Sequence, residues 1–135
     1  MLVTAILGRW SILPTIACDG AQALRLATGH DFDSVLMDVM LPVMDGIAAT
    51  AVIRKFEWQY PGRPAVPILA YTTFDLAAQH YSVQRAGFTA VLAKPCDAHS
   101  LRANLARWCP DKFVVELKLE SRLWSPMSIL ERRAN

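Results

Sequence analysis

The chain has 135 residues, a size that suits a single domain built around one hydrophobic core. Its formal net charge of +2 at pH 7 is small, which argues against nucleic acid or an acidic membrane surface as a partner. No stretch approaches the ~18 consecutive apolar residues of a membrane span, and the three cysteines lack metal-site or redox spacing, so we expect a reduced, cytoplasmic protein.

The apolar periodicity and the turn residues predict alternating helices and strands. Three of the predicted helices begin after an aspartate that can act as the N-cap: Asp19, Asp75 and Asp97. In chain order the predicted elements are helix 1–9, strand 12–18, helix 20–28, strand 33–38, helix 47–58, strand 66–72, helix 76–86, strand 89–93 and helix 98–108. Such alternation favours an α/β fold with a parallel sheet and helices on both faces.

The character of the sequence changes after Pro110. Residues 113–119 have strand propensity, and residues 121–133 are predicted to form a further helix. We therefore divide the chain into a domain of residues 1–109 and a C-terminal tail of residues 110–135.

Three polar residues fall at the carboxyl ends of three successive predicted strands: Asp38, Thr72 and Lys94. These ends meet at one edge of a parallel sheet, where such folds bind ligands. A carboxylate can accept a phosphoryl group, a hydroxyl can hydrogen-bond its oxygens, and an ammonium can neutralise its charge. Taken singly, each residue has a simpler interpretation: a turn-capping or ion-paired aspartate, a strand-end threonine and a surface lysine.

Four motifs in this order make the chain resemble a response-regulator receiver domain of two-component signalling. They are the segments Asp33–Gly46, Pro67–Thr72, Ala86–Phe88 and Ala93–Pro95. The resemblance covers about residues 1–109 and implies a flavodoxin-like fold with sheet order 2-1-3-4-5.

The resemblance also implies roles for individual residues. Asp38 would be the phosphoacceptor, with Thr72 as the switch hydroxyl and Lys94 as the phosphate-binding cation. A Mg²⁺ cofactor would be bound by Asp38 and the backbone carbonyl of Met40. Structural turns are assigned to Pro42, Asp45, Gly46 and Pro95.

The N-terminus departs from the family pattern, because the usual first strand and its pair of acids are missing before the predicted strand 12–18. Mg²⁺ binding is therefore doubtful, and we expect weak or absent phosphorylation of Asp38. The missing strand is central, so its place must be filled. We expect residues 113–119 to fill it, from the same chain or from a partner in a domain-swapped homodimer. Glu120 would then lie near the site and be a candidate metal ligand in place of a lost acid.

The leading functional interpretation is a receiver-like signalling protein of a phosphorelay, with output by protein–protein contact. Its partners would be a histidine kinase or phosphotransfer protein and a downstream protein. The alternative is a degenerate pseudo-receiver that binds partners or dimerises without phosphorylation, because the acids are missing and Val91 stands where the family usually has an aromatic residue. An enzyme is not supported, since no nucleophile–base pair is evident.

Overall fold

The computed structural model describes residues 2–40, 43–72, 83–94, 96–109 and 128–132. Its helices are α1 (Leu2–Arg9), α2 (Gly20–Gly29), α3 (Gly46–Gln59) and α4 (Ala98–Trp108); its strands are β1 (Pro14–Ala17), β2 (Phe32–Asp38), β3 (Ile68–Thr72), β4 (Ala90–Ala93) and β5 (Ser128–Arg132). Residues 83–86 are also helical, at the end of the predicted helix 76–86; residues 76–82 of that prediction lie outside the described residues. None of the described helices combines the length and apolar character that crossing a membrane requires.

Three of the described helices have an aspartate as N-cap, and two of these caps were predicted from the sequence. The carboxylate of Asp19 accepts a hydrogen bond from the backbone N–H of Gln22 at 2.7 Å, and that of Asp97 accepts one from Ser100 at 2.7 Å. Asp45, assigned to a turn, caps α3 in the same way. These bonds satisfy N–H groups that the first helical turn leaves without partners.

The five strands form one sheet in the order β1-β5-β2-β3-β4. Strands β2, β3 and β4 run parallel, and β1 lies at the edge, a position that accommodates its Pro14. This confirms the predicted flavodoxin-like α/β fold. The sheet is not wholly parallel, however, because β5 runs antiparallel to both of its neighbours.

The C-terminal tail contributes the central strand, but the segment that forms it is not the one predicted. Residues 128–132 pair with both β1 and β2, whereas the expected replacement strand, 113–119, lies outside the described residues. The predicted helix 121–133 is therefore wrong over residues 128–132. The physical reason is that the gap between β1 and β2 offers backbone partners on both sides, and such tertiary pairing outweighs a weak helix propensity.

The sheet separates two layers of helices. Helices α1 and α4 pack on one face around the buried Leu36, Leu69 and Leu92. Helices α2 and α3 cover the other face, where Val35 and Ile68 are buried. Neighbouring residues of a strand point to opposite faces, so near-continuous apolar strands such as β2 and β3 fit a sheet covered on both sides.

Candidate functional site

The last residue of β2, Asp38, is 7% exposed and lies at the carboxyl edge of the parallel strands. One of its carboxylate oxygens accepts a hydrogen bond from the backbone N–H of Met40 at 2.9 Å. The other forms an ion pair with the ammonium of Lys94. A carboxylate removed from water in this way is stabilised by both partners, which explains how Asp38 remains buried at the end of an otherwise apolar strand.

Lys94 and Thr72 are joined through the backbone. Lys94 directly follows β4, and its N–H donates a hydrogen bond to the carbonyl oxygen of Thr72 at 2.9 Å. Thr72 ends β3 and is 2% exposed. The structure thus brings the three predicted residues together at one edge of the sheet: Asp38 and Lys94 in direct contact, and Thr72 beside Lys94.

The loop after β2 is held close to Asp38 by a glycine. A Cβ atom at Gly46 would lie 2.1 Å from the carbonyl oxygen of Asp38, closer than any real side chain can approach. The N–H of Gly46 also donates to the carbonyl of Val39 at 3.0 Å. Gly46 is therefore needed so that α3 can begin directly against the end of β2.

Several residues assigned from the sequence lie outside the described part of the structure. They are Pro42, Pro95 and Glu120. Met40 is described: its backbone N–H faces Asp38, and its side chain is exposed. The roles of Pro42, Pro95 and Glu120, and of the Met40 carbonyl as a metal ligand, remain predictions.

The described residues do not fit a magnesium ion at this edge. No group of three or more His, Cys, Asp or Glu side chains among them could hold a metal. The other acids that follow strands at this edge, Asp19, Asp45 and Asp97, each cap a helix. The two carboxylate oxygens of Asp38 already bond to Lys94 and to the Met40 N–H. Magnesium prefers near-octahedral oxygen coordination, for which one occupied carboxylate is a poor starting set.

The central strand does not supply acids at this edge either. Its first residue, Ser128, is aligned with Met37 of β2 and with Ala17 of β1, next to the end of the sheet that carries Asp38. Its acidic residue, Glu131, is aligned with Ser34 near the opposite end. Because β5 runs antiparallel, it brings a serine rather than a carboxylate to the neighbourhood of Asp38.

Two residues at the site, Tyr71 and Cys96, were not identified from the sequence. The ammonium of Lys94 lies 4.8 Å from the centre of the Tyr71 ring, and the Tyr71 hydroxyl hydrogen-bonds the thiol of Cys96. Burial, followed by the neighbouring Cys96, raises the pKa of Tyr71 to about 12, so the phenol is neutral at physiological pH. Burial likewise raises the pKa of the Cys96 thiol. The sequence signal for Tyr71 was its position directly before Thr72.

Chemically, the site pairs a buried nucleophilic carboxylate with one cation. A carboxylate oxygen can attack phosphorus to form an acyl phosphate, and an ammonium within contact distance can neutralise the phosphoryl oxygens. Among the described residues, Lys94 is the cation that contacts Asp38.

Comparison with known proteins identifies relatives of this arrangement. The family model for the response regulator receiver domain matches residues 1–106. The signal transduction histidine-protein kinase BarA of Escherichia coli K12 is 37% identical over 94 residues, which cover 69% of this chain and 10% of that protein. Transcription factor SKN7 of Saccharomyces cerevisiae is 27% identical over 128 residues, 94% of this chain and 20% of that protein. The chain thus spans a fifth or less of these relatives.

Two solved structures share the fold. The first is the receiver domain of the sensor histidine kinase PA1611 of Pseudomonas aeruginosa PAO1, solved with a magnesium ion coordinated in its active-site cleft. Its TM-score is 0.69 and its sequence identity is 36%, and the match covers 78% of this chain and 83% of that one. The second is the co-crystal structure of the Saccharomyces cerevisiae histidine phosphotransfer protein Ypd1 with the receiver domain of the response regulator Ssk1. Its TM-score is 0.65 and its sequence identity is 26%, and the match covers 76% of this chain and 75% of that one.

Proposed function

This chain belongs to the response regulator receiver domain family, and from that premise we propose that it is a signalling protein of a phosphorelay in which Asp38 accepts the phosphoryl group. The observation that carries the proposal is the contact between the Asp38 carboxylate and the Lys94 ammonium at the carboxyl edge of β2, beside Thr72. A cytoplasmic location and output by protein–protein contact are parts of the same proposal.

The proposed donor is a phosphohistidine on a histidine kinase or a phosphotransfer protein. In this step an oxygen of Asp38 bonds to phosphorus while the phosphorus–nitrogen bond of the donor breaks. The imidazole nitrogen keeps the electron pair of that bond and takes up a proton. The ammonium of Lys94 stabilises the charge on the transferred oxygens, and the hydroxyl of Thr72 is the proposed hydrogen-bond donor to one of them. Support for the donor class comes from kinase relatives and from the complex of a similar receiver with a phosphotransfer protein.

The first experiment is phosphorylation by a small donor such as acetyl phosphate, followed by intact-mass measurement with and without magnesium. We expect a minor fraction of the wild-type chain to gain one phosphoryl group, because the described residues do not fit a metal that would neutralise the transferred charge. The Asp38→Asn variant should gain none. Stoichiometric labelling that requires magnesium would contradict the metal part of this account, and Glu120→Gln would then show whether Glu120 is a ligand.

A second candidate function is a degenerate receiver that binds partners without phosphorylation. The observation that favours it is the antiparallel β5, which aligns Ser128 rather than an acid with the end of β2. If neither a small donor nor a phosphohistidine protein labels Asp38 in the wild-type chain, this candidate replaces the first.

We also propose that β5 can be exchanged between two copies of the chain. The thiol of Cys109, just after α4, donates to the carbonyl of Asp33 at 3.3 Å, near the start of β2, whereas Ser128 lies near its end. The 18 residues between Cys109 and Ser128 can span at most roughly 60 Å when extended, far enough to reach a neighbouring copy. The backbone pairing would be the same in both forms, so concentration decides between them.

A disulfide between β1 and β5 tests the exchange. Thr15 and Leu130 are directly opposite each other, and opposed residues of antiparallel strands have Cα separations of about 4.5–5.5 Å, which a disulfide can bridge. In a Thr15→Cys, Leu130→Cys chain that also carries Cys18→Ser, we expect the disulfide to form within one chain at micromolar protein concentration. Links between chains should appear toward roughly millimolar protein, the effective concentration that a flexible connection provides. Their absence at that concentration would contradict the exchange; either single-cysteine variant is the control.

A further inference from the structure

Tyr71 occupies a position that faces the proposed site from within the sheet. In β3 it is aligned with Asp38 of β2 and with Leu92 of β4. Aligned residues of neighbouring parallel strands point to the same face, and so do residues two positions apart in one strand. Tyr71, Asp38 and Lys94 therefore share the face that α1 and α4 cover.

The ring of Tyr71 is in contact with the charged end of Lys94. The ammonium lies 4.8 Å from the ring centre, within the range in which a cation is attracted to an aromatic face. The same ammonium forms the ion pair with Asp38. The lysine side chain is 27% exposed, so solvent does not fully surround this group.

The ring is itself held in place from the core side. Tyr71 packs against the buried cluster that includes Leu69 and Leu92. Its hydroxyl bonds the thiol of Cys96, which is 3% exposed. Packing on one side and the Cys96 contact at the tip leave the ring few ways to turn, so its face stays toward Lys94.

From this geometry we infer that Tyr71 is a positioning residue for the proposed phosphoryl transfer, holding the Lys94 ammonium against Asp38. The inference rests on the proposed function for its consequence, but the contact itself can be tested separately. Lysine is a compact charge on a flexible stem of four carbons, so a second contact besides the ion pair with Asp38 narrows the positions that its ammonium can take. Tyr71 supplies that restraint by its ring, and Cys96 maintains the orientation of the ring.

The first test compares Tyr71→Met, which removes the ring, with Tyr71→Phe, which keeps it. Each variant is acetylated with a trace amine reagent, and modification of Lys94 is measured relative to that of the exposed Lys55 on α3. We expect Tyr71→Met to raise this ratio about fivefold, the factor for a cation–π contact of moderate strength, and Tyr71→Phe to stay near the wild-type value. Asp38→Asn gives the ratio for a lysine released from its ion pair. A ratio in folded Tyr71→Met equal to that of the wild type would overturn the inference.

The same contact can be read in the wild-type chain, which keeps the inference testable if Tyr71→Met does not fold. The Lys94 ammonium lies over the Tyr71 ring, 4.8 Å from its centre. We therefore expect the NMR signals of the protons on the adjoining carbon to be shifted upfield by the ring current in both wild type and Tyr71→Phe. Signals at the position of the exposed Lys55 would contradict the inference.

The functional consequence is measured by the initial rate of Asp38 phosphorylation. Tyr71→Met should lower the maximal rate about fivefold without changing the donor concentration that gives half of it, and Tyr71→Phe should restore the rate. A loss that appears only as weaker donor binding would contradict a positioning role. If the wild-type chain is not phosphorylated at all, the proposed function fails, while the acetylation ratio and the NMR shift still decide whether Tyr71 holds Lys94.

Discussion

Replacing Gly46 with alanine is expected to be among the most damaging single changes in this chain. The added methyl group would lie 2.1 Å from the carbonyl oxygen of Asp38 and 3.0 Å from the side chain of Met37. The nearest atom belongs to the backbone, so the start of α3 and the end of β2 must move apart. We expect a loss of about 3 kcal/mol in the free energy of unfolding, the upper part of the usual range for overpacking. Chemical denaturation followed by circular dichroism measures it.

The control for this change is Gly29→Ala. Gly29 ends α2, and a Cβ atom there would meet nothing within 4 Å. Alanine is a better helix former than glycine, so this variant should be as stable as the wild type or more stable by about 0.5–1 kcal/mol. Because Gly46 also fixes the end of β2, Gly46→Ala should slow labelling of Asp38, whereas Gly29→Ala should not. Equal stability of the two variants would show that the loop accommodates a side chain at Gly46.

Removal of the tail strand is expected to abolish cooperative folding. Within the described residues, β5 is the strand that β1 pairs with, and it also separates β1 from β2. A chain that ends at residue 127 would leave facing backbone groups of both strands without partners. Each such group, if it stays buried, costs about 1–3 kcal/mol, and a whole domain is stable by only about 5–15 kcal/mol. Several unpaired groups therefore suffice to unfold it.

A matched truncation separates the strand from mere shortening of the chain. A chain that ends at Arg132 retains all of β5 and should unfold cooperatively, like the 135-residue chain. A Leu130→Pro substitution in the 135-residue chain should resemble the chain that ends at residue 127, because proline removes a backbone donor from a central strand. Thermal unfolding monitored by calorimetry distinguishes these cases. A normal transition in the chain that ends at residue 127 would show that β5 is not required.

The part of the fold that could be predicted from the sequence depends on local patterns. Aspartate caps gave the starts of α2 and α4, and the short apolar runs gave β2 and β3, because both signals lie within a few residues of the element they define. The convergence of Asp38 and Lys94 also followed from sequence. Each ends a strand of a parallel sheet, and such ends share one edge.

The central strand could not be assigned correctly from local patterns. Residues 113–119 have the stronger alternation of apolar and charged residues, but residues 128–132 occupy the gap. Strand pairing joins segments far apart in sequence, so the partner of β1 and β2 depends on what fits between them rather than on propensity alone. The antiparallel direction follows from that pairing and was not anticipated either.

The contact between Tyr71 and Lys94 could not be predicted from the sequence, for a different reason. The order of residues placed both near the same edge, but the distance from a ring to an ammonium depends on side-chain rotamers. Those are set here by packing against the core and by Cys96, which is distant from Tyr71 in sequence.

The central claim, that Asp38 accepts a phosphoryl group stabilised by Lys94, is tested most directly by locating the modification. The chain is incubated with a phosphodonor, the acyl phosphate is trapped by borohydride reduction, and the reduced residue is identified by peptide mass spectrometry. Reduction should be found at Asp38, and the near-isosteric, uncharged Lys94→Met variant should show it at a rate lower by roughly tenfold or more. Reduction at another acidic residue, or an unchanged rate in Lys94→Met, would contradict the account.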